Sequence, residues 1–282
     1  MAEATWKVDT SSPVLVTGAE GYIAGVLIKQ LLDAGATVHG TVRDLSKPEE
    51  FKYLTDVADD SPGSIKLFRA DLTEPGSFAE GMKGCSVVFH IASPVSLMVD
   101  DPQKELVDPA VSGTRDVLNT ATKTLSVRRV VMTSSVAAIY TDASDTNNAP
   151  GNILTEDNIN MTASIDYQPY YYAKVLAEMA AWQVAGSQNQ WTMATINPAF
   201  VTGPGLKFHA SSESFKILIS MGGGKYKDGV PNLGMGYVDV QDVAKAHIIA
   251  AYKEGVAGRH ILCAKNSNFV EAAAVLRKKF PQ

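Results

Sequence analysis

The chain has 282 residues, of which 45% are hydrophobic and 20% are charged, the balance of a globular protein. Its net charge of −5 gives no reason to expect a nucleic acid or a membrane surface as a partner. No apolar run is long enough to cross a membrane, and the polar residues 1–12 lack the apolar core of a secretion signal. Neither cysteine, Cys85 or Cys263, has metal-ligand spacing. We therefore expect buried free thiols, no metal site and a cytoplasmic location.

Strand-like and helix-like segments alternate through the first two thirds of the chain. The predicted strands are residues 14–17, 37–42, 65–69, 87–91, 129–133 and 192–197. The predicted helices are residues 22–34, 48–58, 107–122 and 169–188. This alternation predicts an α/β fold with a doubly wound parallel sheet, the Rossmann fold. In such a sheet, ligands bind beyond the carboxyl ends of the strands, so the residues that follow each strand are candidate site residues.

The periodicity is lost between Tyr140 and Gln168, where Asp, Asn and Ser are frequent, and this segment is predicted to be a long loop beside the site. After Gly203 the pattern is irregular, apart from helix-like segments at residues 238–253 and 268–279. We therefore expect two units. Residues 1–200 are predicted to form a Rossmann domain that binds the cofactor and carries the catalytic residues. Residues 201–282 are predicted to form a small substrate-binding lobe that is interleaved with it.

The clearest motif lies at residues 14–25, which read VLVTGAEGYIAG: a strand that turns on glycines into a helix. Gly18 allows the tight turn, and Gly21 lets the backbone approach a phosphate without a Cβ in the way. The helix N-terminus presents N–H donors and a partial positive charge, which attract a pyrophosphate. Ala24 replaces the third glycine of the common fingerprint. An ordinary strand–turn–helix connection shares such glycines, so the motif alone is not specific.

The second strand ends at Arg43, and Lys47 follows four residues later. A carboxylate at this position would bind the adenosine ribose and favour NAD. A guanidinium instead pairs bidentately with a 2′-phosphate, so we expect NADPH/NADP+ as the cofactor. Two alternatives remain open: Asp44 takes the ribose role, or Arg43 is an ordinary solvated arginine.

Tyr170 and Lys174 are four residues apart and therefore share one face of the predicted helix. A phenol has an ordinary pKa of about 10, and a neighbouring ammonium is expected to lower the Tyr170 pKa, which suits a proton relay. Lys174 can also reach the nicotinamide ribose. Ser134 and Ser135 end the fifth strand at the same edge, where a hydroxyl would hold a substrate carbonyl oxygen, and Ser135 is favoured. Packing under a loop is the alternative role for the neighbouring tyrosines, above all Tyr171 and Tyr172.

In combination, these motifs resemble those of the extended short-chain dehydrogenase/reductases. The segments that carry the resemblance are the TGxxGxxA turn, Thr133-Ser134-Ser135 and Tyr170-x-x-x-Lys174. Further segments are similar to the dihydroflavonol-reductase-like branch, in particular to its fungal and yeast NADPH-dependent aldehyde and carbonyl reductases: TVRD at 41–44, HIASP at 90–94, YYYAKVLAE at 170–178, NP at 197–198 and YVDVxD at 237–242. The similarity extends over nearly the whole chain.

The resemblance implies roles for individual residues. Ser135, Tyr170 and Lys174 match the catalytic triad, and Tyr170 and Lys174 also contact the cofactor. The other implied cofactor-binding residues are Gly18, Gly21, Tyr22 and Ile23 at the pyrophosphate, Arg43 and Lys47 at the 2′-phosphate, Asp71 and Leu72 at the adenine, Ala92 and Ser93 after the fourth strand, Thr133 after the fifth, and Pro198 and Val201 beside the nicotinamide carboxamide.

Three features depart from the family pattern. Residues 109–114 contain no counterpart of the helix-borne asparagine of the short-chain proton relay. Relatives usually continue further beyond the last helix, so a truncation or a more open substrate pocket is expected. The sequence motif that cinnamoyl-CoA reductases have around the catalytic tyrosine is absent, so a CoA thioester is a less expected substrate.

The sequence thus predicts an NADP-dependent oxidoreductase that acts on CH–OH and C=O groups and reduces aldehydes or ketones to alcohols, with Tyr170 as the proton donor. Its partner is expected to be a small carbonyl substrate, and the protein a monomer or homodimer. The pocket walls are predicted to come from residues 94–98, Pro169, 200–206 and 235–237. These segments are mostly apolar, which suits hydrophobic substrates better than sugars.

Two other functions stay open. A nucleotide-sugar epimerase or dehydratase on the same fold would need basic contacts for a diphosphate, and it would retain its cofactor without net NADPH consumption. Residues 203–236 offer Lys207, Lys216, Lys225 and Lys227 but little arginine. A non-enzymatic NADP-binding module is the other alternative, and it would have no need of the complete set Ser135, Tyr170 and Lys174.

Overall fold

The computed structural model describes residues 6–94, 99–209, 212–226 and 228–280. The strands are β1 (Val14–Val16), β2 (Thr37–Val42), β3 (Ser64–Arg69), β4 (Val87–His90), β5 (Arg129–Thr133), β6 (Thr192–Pro198), β7 (Phe200–Thr202), β8 (Gly234–Asp239), β9 (Gly258–Leu262) and β10 (Lys265–Asn268). The helices are α1 (Tyr22–Asp33), α2 (Pro48–Asp59), α3 (Ala79–Met82), α4 (Asp108–Lys123), α5 (Pro169–Gly186), α6 (Glu213–Gly222), α7 (Val240–Tyr252) and α8 (Phe269–Lys279).

A parallel sheet in the order β3-β2-β1-β4-β5-β6-β9 forms the centre of the described part of the chain, which confirms the predicted doubly wound fold. One layer of helices, α1, α2 and α7, buries its apolar side chains on one face of the sheet. The other layer, α3, α4 and α5, covers the opposite face. Because both faces are covered, β1 (VLV) and the first three residues of β4 (VVF) are continuous apolar runs rather than alternating ones. The strand order reverses between β1 and β4, and a crevice at such a reversal is where ligands bind.

A second sheet has the order β10-β8-β7, with β8 parallel to β7 and antiparallel to β10. Helices α6 and α8 contact each other beside it. Between these elements the chain returns to the main sheet, because α7 packs on α1 and β9 pairs with β6. The division into units at residues 1–200 and 201–282 stays a prediction. Within the second range, β9 is a strand of the main sheet and α7 packs against that sheet.

Several elements after residue 200 were not predicted. Helix α6 is followed directly by Gly223 and Gly224, and these glycines led to the prediction of a loop. Strand β10 reads KNSN and lacks the β-branched and aromatic residues that are typical of strands. Both cysteines are free thiols, as expected, and Cys85 is buried. Cys263 is exposed, so its predicted burial was wrong: it lies in the connection between β9 and β10. None of the helices in the described residues combines the length and apolarity needed to span a membrane.

Gly203 joins the second sheet to the main domain. Its carbonyl oxygen accepts a hydrogen bond from the Tyr22 hydroxyl at 2.7 Å. Its φ of +103° lies in the region that L side chains rarely adopt, and a Cβ at this position would lie 2.6 Å from Oδ2 of Asp239. The Asp239 side chain in turn accepts from the Gln241 N–H at 2.7 Å and caps α7. The backbone can therefore pass between α1 and α7 here because residue 203 has no side chain.

We expect Gly203→Ala to lower the free energy of unfolding by about 2 to 4 kcal/mol, the combined cost of a strained φ and an overpacked contact. Urea denaturation followed by circular dichroism measures this change. Gly186→Ala is the matched control, because a Cβ at this helix-terminal position meets nothing within 4 Å. Equal stability of the two variants would contradict the role assigned to Gly203.

Candidate functional site

The crevice opens where β1 and β4 end side by side. Gly18 has a φ of +67°, and a Cβ there would lie 3.1 Å from the Cβ of Ala92. A Cβ on Gly21 would lie 3.1 Å from the Gly18 carbonyl oxygen, and α1 begins at the next residue, Tyr22. Two glycines thus keep side chains out of the space in front of the α1 N-terminus. This geometry fits the pyrophosphate of a dinucleotide.

A buried chain of polar side chains fixes the residues that follow β4. The Thr17 hydroxyl oxygen accepts from the Ile91 and Ala92 N–H groups, each at 3.0 Å. Its hydrogen is then directed to Nδ1 of His90 at 3.1 Å, and Nε2 of His90 lies 3.3 Å from the Thr114 hydroxyl. Burial, with a smaller effect of the Lys174 ammonium, lowers the pKa of His90 to about 3, so the ring is neutral. Sequence reasoning missed Thr17, His90 and Thr114 as a unit, although each is a polar residue in a buried segment.

On the adenosine side of the crevice, Arg43 follows β2 with 80% of its side chain exposed, and its Nε lies 3.8 Å from Oε1 of Glu20. Lys47 precedes α2 and lies 3.6 Å from Glu50. The Asp44 carboxylate accepts from both the N–H and the hydroxyl of Ser46, at 2.9 and 2.7 Å. The Arg43 guanidinium is therefore accessible to a ligand. The Asp44 carboxylate, the alternative ribose-binding group, is instead hydrogen-bonded to Ser46 in the same turn.

The residues predicted at the adenine follow β3. The Asp71 carboxylate accepts from the Thr73 N–H and hydroxyl at 2.8 and 2.7 Å, and these bonds hold the pKa of Asp71 below its ordinary value. Leu72 packs against α4, where a Cβ on Gly113 would lie 2.8 Å from it. Asp71 thus shapes its own turn, and Leu72 supplies an apolar contact between this turn and α4.

Helix α5 brings the predicted catalytic lysine to the end of β4. The ammonium of Lys174, whose residue is only 6% exposed, donates to the Ser93 hydroxyl at 3.0 Å. It lies 5.8 Å from the centre of the Tyr170 ring. Burial lowers the pKa of Lys174 to about 8, and the carboxylate of Glu178 acts in the opposite direction. The structure therefore joins Ser93, Tyr170 and Lys174 at one place.

The pKa of Tyr170 is raised, and the expected lowering by Lys174 was wrong. Burial is the largest cause, the neighbouring Tyr171 and the more distant Glu213 add to it, and interaction with the Ser135 hydroxyl acts against it. Tyr170 thus remains a neutral phenol with a proton to donate. The two serines differ in their partners. The Ser134 hydroxyl donates to Glu178, whereas the Ser135 hydroxyl oxygen accepts from the Ala137 N–H at 3.1 Å and is the serine that acts on the Tyr170 pKa.

The remaining predicted cofactor residues lie close to the crevice but differ in what their side chains do. The Thr133 hydroxyl is buried and hydrogen-bonds to Nε2 of His247 at 2.7 Å, so its side chain is held by α7 rather than presented to a ligand. Ile23, in the first turn of α1, is partly buried against the hydrophobic core. Pro198 ends β6, and Val201 is buried in β7.

The segments predicted to form the pocket walls are partly described. Residues 95–98 lie outside the described residues, whereas Phe200 and Tyr237 pack edge to face with ring centres 5.6 Å apart. Among the lysines considered for a diphosphate, Lys207 donates to the Glu50 carbonyl and Lys216 pairs with Glu213 at 2.7 Å. Lys225 lies over the Tyr226 ring at 6.0 Å, and Lys227 lies outside the described residues.

Comparison with known proteins adds independent information. The model of the 3-beta hydroxysteroid dehydrogenase/isomerase family matches residues 15–270. A cinnamoyl-CoA reductase, CAD2 of Medicago truncatula, is 39% identical over 271 residues, which are 95% of this chain and 81% of the relative.

Two solved structures of Gre2 with NADPH are also similar. The Candida albicans protein has a TM-score of 0.84 and 33% identity, with 95% of this chain and 83% of that one covered. The yeast methylglyoxal/isovaleraldehyde reductase has a TM-score of 0.83 and 29% identity, with the same shares covered.

The buried histidine behind Thr133 makes a pH-dependent contribution to stability. Burial lowers the pKa of His247 to about 4, so the folded ring stays neutral while the unfolded one takes up a proton below about pH 6.5. This contribution is present above pH 6.5 and is lost as the pH falls toward 4. We expect His247→Gln to lose less unfolding free energy than wild type between pH 7 and 4, by roughly 3 kcal/mol. Urea denaturation at both pH values measures it, and identical losses would refute the assignment.

Proposed function

The chain belongs to the 3-beta hydroxysteroid dehydrogenase/isomerase family and is an oxidoreductase of the extended short-chain type, and we propose that it reduces apolar aldehydes and ketones to alcohols with NADPH. One observation carries the proposal: the buried Lys174 ammonium lies 5.8 Å from the centre of the Tyr170 ring and donates to Ser93, beside the glycine turn. A binding module has no need of this convergence.

The side chains divide the work of carbonyl reduction. Reduced nicotinamide, when bound, supplies the hydride for the carbonyl carbon. The Ser135 hydroxyl holds the carbonyl oxygen, and Tyr170 donates its phenolic proton to the oxygen as negative charge develops there. The raised pKa of Tyr170 keeps that proton in place at neutral pH. Lys174, held by Ser93, stabilises the phenolate that remains and reaches toward the ribose.

The charges beside the crevice support NADPH over NADH. Arg43 and Lys47 bring two positive charges to the adenosine side, and the Asp44 carboxylate is engaged with Ser46. Both Gre2 structures hold NADPH. We assign Arg43 to the 2′-phosphate as the bidentate partner and Lys47 as its support.

The predicted pocket walls support an apolar substrate class. Tyr171 packs edge to face on Tyr170, and Phe200 and Tyr237, from the predicted wall segments, pack on each other; such aromatic surface favours apolar carbonyl compounds. The engaged lysines of residues 203–236 argue against a nucleotide sugar. The Medicago relative is named for a CoA thioester, so a test panel needs cinnamoyl-CoA beside aryl aldehydes, aliphatic aldehydes and β-keto esters.

Tyr170→Phe removes the donated proton while keeping the ring. We expect kcat to fall by about 100- to 10,000-fold, the usual contribution of a general acid, with the Kd for NADPH nearly unchanged. NADPH absorbance at saturating substrate measures turnover, and fluorescence titration measures binding. Tyr171→Phe is the matched control and should keep its turnover. Full activity of Tyr170→Phe would overturn the role of Tyr170, and no NADPH oxidation by the wild type with any member of the panel would overturn the function.

Arg43→Ala tests the cofactor assignment. We expect kcat/KM for NADPH to fall by about 10- to 100-fold, because a charge-assisted bond to the 2′-phosphate contributes roughly 1.5–3 kcal/mol, whereas kcat/KM for NADH should change little. Lys52→Ala, at an exposed lysine that pairs with Asp56 on α2, is the control for loss of one positive charge. An equal effect on both cofactors would show that Arg43 does not distinguish them.

A further inference from the structure

Glu178 is a buried carboxylate on the helix that carries Tyr170 and Lys174. It lies one turn beyond Lys174 and is 4% exposed. Burial of an unpaired carboxylate is very unfavourable, so its partners have to compensate for the lost hydration. Four groups from different parts of the fold do so, and none of them has a role in the reaction described above.

These partners converge on both carboxylate oxygens. Oε2 accepts from the Ser134 hydroxyl and from Nδ2 of Asn197 at 2.8 Å. Oε1 accepts from Nε of Arg259 at 2.5 Å and from the Trp182 indole at 3.3 Å. One side chain thus connects α5 to β5, β6 and β9.

The connection continues to the predicted catalytic serine. Nδ2 of Asn197 also donates to the Ser135 carbonyl oxygen at 3.0 Å, and Oδ1 of Asn197 accepts from the Thr195 hydroxyl at 2.9 Å. Ser134, which precedes Ser135, is held by Glu178 directly. The backbone on both sides of the Ser135 side chain is therefore tied to the helix that presents Tyr170.

The same network orders the loop that follows Ser135. Beyond its bond to Glu178, the Arg259 guanidinium donates to the carbonyl oxygens of Glu156, at 2.9 Å, and Ala138, at 3.0 Å, and also to that of Asn158. The Arg259 guanidinium thus binds several backbone carbonyl oxygens of the irregular segment after Ser135, and Glu178 fixes the position of that guanidinium.

From these contacts we propose that Glu178 is a positioning residue for the reduction: its carboxylate sets the placement of Ser135 relative to Tyr170 and places a buried negative charge one helical turn from Lys174. The inference rests on the proposed function. A carboxylate that served stability alone would be replaceable by a neutral group of the same shape with no change in how activity depends on pH.

The charged and titratable groups around Lys174 and Glu178 define that dependence. The Lys174 ammonium lies 5.8 Å from the Tyr170 ring and interacts electrostatically with His90 of β4 and with Glu178 of its own helix, while Glu178 pairs with Arg259 of β9. The Glu178 charge raises the Lys174 pKa against the effect of burial. Without that charge, Lys174 loses its proton at lower pH. The alkaline limb of kcat/KM, where the ammonium form disappears, should then move to lower pH.

Glu178→Gln keeps the shape and removes the charge. With a reactive aldehyde from the panel, we expect kcat to fall by up to about 100-fold, the effect of misplacing a reacting group by about 1 Å, with KM for NADPH within about 2-fold. The alkaline limb should lie at lower pH than in wild type. Arg129→Gln is the control, because Arg129 also anchors backbone carbonyls, such as that of Ala250 at 2.8 Å, but from the opposite end of β5. Its alkaline limb should not move.

The outcomes separate the two proposals. An unchanged kcat and limb in Glu178→Gln, beside an active wild type, overturn the inference and leave the reductase function intact. A lower kcat without a shift of the limb also overturns it, because a structural defect suffices. An inactive wild type overturns both proposals. If Glu178→Gln does not fold by near-UV circular dichroism, Asn197→Ser decides: it keeps the Glu178–Arg259 pair and cuts the link to Ser135. Because the Glu178 charge is kept in this variant, its limb should not move, and a KM for NADPH within about 2-fold of wild type serves as the check against a structural defect. A fall in kcat of about 10-fold with that KM retained supports the proposal, and an unchanged kcat, or a loss of kcat and NADPH binding together, refutes it.

Discussion

Two opposite charges, Lys174 and Glu178, are buried one helical turn apart on α5, and the rest of the site is arranged around them. Neither is solvated, so each depends on protein groups: Ser93 for the ammonium, and Ser134, Asn197, Trp182 and Arg259 for the carboxylate. Those groups lie beyond the ends of β4 and β5, at the end of β6, on α5 and in β9. Satisfying two buried charges therefore docks α5 against the sheet edge where a ligand binds.

The cofactor side of the crevice is held together differently, by backbone hydrogen bonds and by glycines that leave room for close approach. Gly18 and Ala92 approach so closely that a Cβ on residue 18 would be crowded, at 3.1 Å from the Ala92 Cβ. The Thr17 hydroxyl oxygen accepts from the two backbone N–H groups that follow β4. The neutral His90 continues this contact toward α4. A turn fixed in this way needs no rearrangement to receive a phosphate, whereas the exposed Arg43 at the rim is adaptable.

The sequence allowed prediction of those parts that local chemistry determines. The alternation of strands and helices, the glycine turn and the strand-end positions of Ser135 and Ser93 are readable because they depend on neighbours along the chain. The role of Thr133, the exposure of Cys263 and strands β9 and β10 were missed because partners distant in sequence decide them. Glu178 was quoted within a motif, but its partner Arg259 lies 81 residues away, so only the fold reveals the network.

The raised pKa of Tyr170 is another property that depends on the fold rather than on neighbours along the chain, and it bears on the direction of the reaction. Helical spacing correctly brought Lys174 near the phenol, but burial has the larger effect, so the pKa is raised. A phenol that keeps its proton is a competent donor to a developing alkoxide, whereas alcohol oxidation would need a phenolate. Under the proposed function, burial of Tyr170 therefore suits carbonyl reduction at neutral pH, and the Lys174 ammonium becomes most important after the proton has left, when it interacts with the new negative charge. In the proposed mechanism, the Glu178 charge raises the Lys174 pKa against the effect of burial, so the proton-donating step depends on a carboxylate that touches neither substrate nor cofactor.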